Sequence, residues 1–248
     1  MEHSQSQMEA FASFLKKAKA QYLRCLEPSL KCTRRPIRAH SVQNSRLLDL
    51  LAKNGHVIGL TPSFSPNKAP RIEFGLIGRN QATTFTGICS HHDNLIFSKI
   101  EKNDLSFTDP EQLFLFAYRA AYRELHATMA ATAKLQSSYL ERVEQGLDPE
   151  NSPSVAGLVA TERMMIAWIT FKYKLLLDEA HAENNFEFLN HSLIMLDVDQ
   201  ACLAACALFS VDRIQVRDDV LRIHLNILPI AKTKTVVLFS YLRSDTSY

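Results

Sequence analysis

The sequence predicts an α+β protein with a treble-clef-like zinc module at its N-terminus, two long helices, and a C-terminal antiparallel sheet. Three observations predict this class. Thiols and imidazoles concentrate between Tyr22 and Phe97 as Cys25-x6-Cys32-x7-His40 and Cys89-x2-His92-Asp93, and thiolate with neutral imidazole is the usual donor set of tetrahedral zinc. Apolar residues recur at helical spacing through the middle of the chain. Past residue 186 that period gives way to short apolar runs of strand character. The units implied are residues 1–105, a zinc-binding module with a basic N-terminal helix, and residues 106–248, a helical pair plus antiparallel β-sheet.

Taken in order, residues 9–26 place Phe11, Phe14, Leu15, Ala18, Tyr22 and Leu26 at mostly three- and four-residue spacings, which predicts an amphipathic helix. Lys16, Lys17, Lys19 and Arg24 fall on its other side, and eight basic residues lie between Lys16 and Arg38 against the single acid Glu27. Pro28 and Pro36 bracket the first cysteine loop. Ser41 is expected to cap a helix over Val42–Lys53, with Leu47, Leu48, Leu50 and Leu51 inward, and Asn54-Gly55 to end it. His56–Leu60 reads as a strand and residues 61–70, with Pro62, Pro66 and Pro70, as an exposed loop. Two further strands, 71–78 and 83–88, lead to Cys89, where Cys-Ser-His-His-Asp opens a short helix. That order of strand, ligand pair and helix start is treble-clef-like.

Asp109-Pro110-Glu-Gln112 is a helix opening with a capping residue and proline in the first turn, and the helix should run to about Gln145 before Gly146. Phe114, Tyr118, Ala121, Tyr122 and Leu125 form its apolar stripe. A second helix is expected over about Ser154 to Ala182. Strands are expected at 186–196, 202–210, 219–228 and 234–242, the last two joined as a hairpin with Pro229 and the following lysines in the turn.

Composition narrows the function classes. With 248 residues and 46% apolar content the chain buries a core without disulfides, and a formal net charge of +2 excludes a uniformly basic nucleic-acid coat while leaving room for a local patch. Met1–Met8 is polar and unlike a signal peptide, and the most apolar run, Ala201–Val211, is too short to span a bilayer. The expected setting is a reducing cytoplasm, with no membrane partner, where five cysteines serve as ligands or core residues. Seven glycines include no phosphate-binding loop, dinucleotide fingerprint or hydrolase elbow.

The favoured metal ligands are Cys32, His40, Cys89 and His92, with Cys25 and His91 as substitutes, and zinc as a structural cofactor. Four protein donors make a closed structural site, whereas a position left to water would make it catalytic. For hydrolysis, His91, Asp93 and His56 are the polar groups expected near the site, with magnesium or manganese entering only in that case. Lys31, Arg34, Arg35 and Arg38 are the candidate nucleic-acid contacts. Arg119, Arg123 and Glu124 are expected to pair with one another along their helix, or else to contact phosphate. Cys202 and Cys206 read as core thiols.

A resemblance adds to these expectations. Tyr22-Leu-Arg-Cys25, Cys32, Ile37-Arg-Ala-His-Ser-Val-Gln43, Gly55-His56-Val57, Thr84-Phe-Thr-Gly-Ile-Cys89, His92-Asp93 and Tyr118-Arg119 together resemble a poorly characterised bacterial family of degenerate HNH or treble-clef zinc proteins. The likeness extends weakly through Asn226–Pro229 and Phe239-Ser240. It implies a bacterial effector or toxin of anti-phage defence or mobile-element loci that binds nucleic acid and cleaves it in HNH fashion. Ala39-His40-Ser41 would then stand in for the general-base motif, and His92 or Asp93 for the group at the helix start. The chain departs from HNH nucleases in lacking the His-His or Asp-His pair at residue 40 and the paired CxxC knuckles. The alternative expectation is a non-catalytic interaction module with a structural zinc, whose protein partner is encoded in the same operon.

Overall fold

A computed structural model describes residues 22–65, 68–149, 154–212 and 220–247. The expected basic helix over 9–26, with Lys16, Lys17 and Lys19, lies outside them except for Tyr22–Leu26, which are not helical. The architecture is mixed α and β with antiparallel sheets.

The first strand, β1 (Ile37–His40), pairs antiparallel with β4 (Thr84–Ile88), in the register Ala39↔Phe85 and His40↔Thr84. Ala39 and Phe85 are buried, so this short ladder is held by core packing on one face. Ser41 closes it, its backbone N–H and hydroxyl both donating to the Thr83 carbonyl at 2.9 and 3.0 Å. Ser41 therefore caps no helix. The helical stretch is shorter than Val42–Lys53: a π-turn over Asn44–Leu48 runs into α1 (Asp49–Leu51), with Leu47 and Leu48 buried. Asn54 and Gly55, at φ +52° and +73°, make the expected turn.

Between β1 and β4 the chain makes an excursion, the two-stranded ribbon of β2 (His56–Ser65) and β3 (Lys68–Gly78). The expected loop over 61–70 is thus largely ladder. Pro62 is tolerated because, among the described residues, neither strand has a second neighbour, so the missing N–H can face outward. One face of the ribbon pairs Ile58 with Leu76 and Leu60 with Phe74, and all four are at least 63% exposed.

β4 leads through Cys89 into α2 (Ser90–Lys102). Then α3 (Pro110–Glu144) begins as expected, with Asp109 accepting the N–H groups of Glu111 and Gln112. Leu113 to Tyr122 are buried without interruption, because this half of α3 is covered on several sides, by α2, β4, the large sheet and α4 (Val155–Ala182). Gly87 passes so close to α3 that an added Cβ would meet His126 Cβ at 2.9 Å.

The large sheet has the order β5-β8-β7-β6, all antiparallel, from β5 (Leu189–Asp197), β6 (Ala205–Asp212), β7 (Val220–Ala231) and β8 (Lys234–Leu242). Pro229 lies inside β7, and the turn to β8 is Lys232-Thr233. His224, Asn226 and Leu228 of β7 and Val236, Leu238 and Ser240 of β8 are buried. One buried cluster runs from Cys25 to Leu238, across the expected boundary at 105/106. Among the described residues no helix is long and apolar enough to cross a membrane.

Candidate metal centre

Four side chains converge where the Cys25–Cys32 loop meets the start of α2. Cys25, Cys32, Cys89 and His92 offer donor atoms that all lie within 4.8 Å of one another, and none of the cysteines is in a disulfide. Cys32 Sγ is 3.8 Å from Cys89 Sγ, and His92 Nδ1 is 3.3 Å from Cys89 Sγ and 3.5 Å from Cys25 Sγ. A tetrahedron with metal–sulfur bonds near 2.3 Å and metal–nitrogen bonds near 2.0 Å has edges of about 3.8 Å between sulfurs and about 3.5 Å between sulfur and nitrogen. The cluster can therefore hold one metal ion with little movement.

Each ligand is placed by local structure. Cys89 is the N-cap of α2, and the backbone N–H groups of His92 and His91 are directed at its sulfur. Burial pushes the Cys89 thiol up, but those N–H groups and the Cys25 and Cys32 thiols outweigh it and leave the pKa below the usual thiol value. Cys25 moves the other way, pushed up to about 12 by burial. A metal ion would remove that proton, so loading the site releases protons. Cys25 Sγ also accepts the Cys89 N–H at 3.3 Å, which ties the first ligand segment to the second.

Glu27 shapes the loop between the first two cysteines. Its buried carboxylate accepts from the Ser29 hydroxyl at 2.6 Å and from the backbone N–H groups of Ser29, Lys31 and Cys32 at 2.9, 2.8 and 3.0 Å. Burial raises its pKa, yet these donors more than offset that and hold it below the usual carboxylate value. Glu27 closes this turn unannounced by the sequence, because short-range side-chain turn signals of this kind belong to Asp and Asn.

His40 does not join the cluster, and Cys25 stands in the fourth position. His40 closes the β1–β4 ladder, and its imidazole interacts with the Arg79 backbone, Glu101, Arg119 and Asp93; its Nε2 is buried without a hydrogen-bond partner. Burial depresses its pKa first of all. His91 is exposed and edge-on to the His92 ring at 5.0 Å. His56 is also exposed, its Nδ1 2.9 Å from the Asn54 carbonyl at the foot of the ribbon. Asp93 is not among the clustered donors, and Arg119 Nη2 lies 3.9 Å from its carboxylate.

No protein-family model, curated protein or solved structure matches the chain.

Two polar groups near the site escape a sequence reading. Arg119, buried in α3, pairs with Glu101 and Asp93 of α2 and stacks 4.4 Å over Phe97, so it joins two helices and does not pair within its own. Arg123 approaches its neighbour Glu124 at 3.9 Å. Behind the cluster, Lys174 of α4 donates to both oxygens of Asp178 at 2.6 and 2.9 Å, and the Tyr118 hydroxyl donates to the same carboxylate at 2.5 Å. Of the cations expected to meet nucleic acid, Lys31, Arg34, Arg35 and Arg38 are all exposed on the ligand loop and β1.

Proposed function

We propose that this protein is a zinc-stapled nucleic-acid-binding protein, in keeping with the bacterial effector that its sequence resemblance implies. Three thiolates and an imidazole favour zinc over magnesium or calcium, which take oxygen donors. Four protein donors leave no position for water, the pattern of a structural site. The metal would be held by Cys25, Cys32, Cys89 and His92, and its contribution is to fix the loop.

The observation that carries the binding role is the charge of that loop. Arg24, Lys31, Arg34, Arg35 and Arg38 are exposed, while the only acid between Arg24 and Arg38, Glu27, is turned inward and consumed by Ser29, Lys31 and Cys32. Fixed, unneutralised cations at the rim of a rigid loop suit a phosphate backbone. Hydrolysis would fall to His40 and Asp93, since Cys25 relieves His40 of any duty as a ligand and an imidazole facing carboxylates is suited to a general base.

Anisotropy titrations with labelled single- and double-stranded DNA and RNA test the binding. Tight, salt-sensitive binding is expected, and Arg34, Arg35 and Arg38 changed together to Ala should lower the slope of log K against log salt by about 3. Equal binding by the triple variant, with its metal retained, would sink the proposal. The same samples with magnesium or manganese test cleavage, which Asp93→Ala should abolish without loss of zinc.

A further inference from the structure

The helix α4 is apolar on both sides. Its inner face, with Ala160, Ala167, Tyr173 and Leu177, is buried, with α3 as its main neighbour. Its outer face carries Leu158, Met164, Met165, Trp168, Ile169, Leu175 and Leu176, each between 40% and 59% exposed. A helix that is apolar all round is ordinarily covered all round. A contiguous patch of this kind marks an interaction site.

The outer stripe also has an internal symmetry. Leu158, Glu162, Met165, Ile169, Lys172 and Leu176 are all exposed and follow one another at spacings of 4, 3, 4, 3 and 4. That alternation of four- and three-residue steps is the seam of a coiled-coil contact. The order is also a palindrome about Ala167. Run antiparallel against itself, the stripe sets Leu158 opposite Leu176, Met165 opposite Ile169, and Glu162 opposite Lys172. The two charged positions have opposite signs, so the dyad makes two ion pairs. A parallel arrangement would instead set Glu162 against Glu162 and Lys172 against Lys172.

We propose that the occupant of this face is a second copy of the chain, docked through an antiparallel α4–α4 contact whose two-fold axis passes at the level of Ala167. The match of apolar to apolar and acid to base at mirrored positions is what an isologous interface needs. From Leu158 to Leu176 the seam is about 27 Å long at 1.5 Å per residue. The seven half-exposed apolar side chains offer roughly 500 Å² per copy, about 1,000 Å² for the pair, which reaches the lower limit for a specific interface. Met165 and Ile169 form the centre of the contact, and Trp168 and Met164 flank it. Neither Glu162 nor Lys172 belongs to the metal cluster or to the basic loop, so the contact is separable from nucleic-acid binding.

The test is the mass of the full metal-loaded chain in solution, by light scattering after size exclusion and by sedimentation from about 1 to 100 µM. A dimer is expected. Glu162→Lys and Lys172→Glu, made singly, set like charges across the seam twice and should each raise the dimer dissociation constant roughly three- to tenfold. The double reversal should restore it, which no general loss of folding would do. Met165→Asp should give a monomer that keeps its metal. A monomer at every concentration would overturn the proposal and leave the face to the chain's own residues 1–21 or to another protein. A dimer unmoved by the single reversals would overturn it as well.

Discussion

Replacing Cys25 with serine separates the two candidate ligand sets most sharply. Its sulfur is 3.5 Å from His92 Nδ1 and accepts the Cys89 N–H at 3.3 Å, while His40 stands outside the group. Cys25→Ser leaves three strong donors, so a modest excess of chelator should strip the metal from the variant and not from the parent. What is then lost is a cross-link over the 57 residues that separate Cys32 from Cys89. Treated as a loop closure of that length, the clip contributes about 4 kcal/mol, by the same chain-entropy relation that describes disulfides. At about 2–4 °C per kcal/mol for a chain of this size, the melting temperature should fall by about 8–16 °C. His40→Ala, by contrast, should keep one metal per chain. Metal-to-chain ratio by elemental analysis and melting by calorimetry check both. Loss of metal from His40→Ala, or full metal and stability in Cys25→Ser under chelator, would refute the ligand assignment.

Two further outcomes are expected. Glu27→Gln replaces the carboxylate that gathers Ser29, Lys31 and Cys32 with a weaker acceptor, and should lower metal affinity about tenfold in a competition assay without changing the one-to-one stoichiometry. Burial depresses His191 to about 4 and His224 to about 3, below the unfolded value near 6.5. Between those values the unfolded chain binds more protons than the folded one, so stability is present above about pH 6.5 and falls as pH drops through the window. His191→Gln, able to keep the bond to Ser240, should therefore flatten urea-derived stability between pH 6 and pH 4.5 by about 1.4 kcal/mol per pH unit. An unchanged slope would show that His191 is not the group titrating.

How much of this was legible depended on the range of the interaction. Cys89-x2-His92 could be read because a cap residue and the third helical position are fixed neighbours on any helix start. The choice between Cys25 and His40 could not, because it turns on which side of the β1–β4 ladder the imidazole lies, and that ladder joins residues 44 apart in the pair His40↔Thr84. The first long helix announced itself through the cap at Asp109, which accepts backbone N–H groups as expected, and the second starts close to the expected Ser154, whose hydroxyl accepts the Gly157 N–H. Prolines misled at 61–70: Pro62 reads as a loop residue, although the alternation Ile58, Leu60 and then Ile72, Phe74, Leu76 already had the period of a ribbon. Lys174 and Asp178, four apart, have the spelling of a surface pair. Only the packing of α3 against α4 puts them inside, where their attraction offsets a desolvation cost that an exposed pair never meets.

The metal ligands also impose an order in time. Cys25 and Cys32 are synthesised well before Cys89 and His92, and at the usual 5–20 residues per second the 57-residue separation from Cys32 to Cys89 takes about 3–11 s to appear. Until then β1 has no β4 to pair with, and two thiols wait with half a coordination shell. Full coordination thus becomes available only once the ribbon has emerged and the chain has returned to its starting strand. An ion bound there would act as a late latch on the N-terminal half. In a cell starved of that metal, newly made chains, more than those already folded, would then carry the defect.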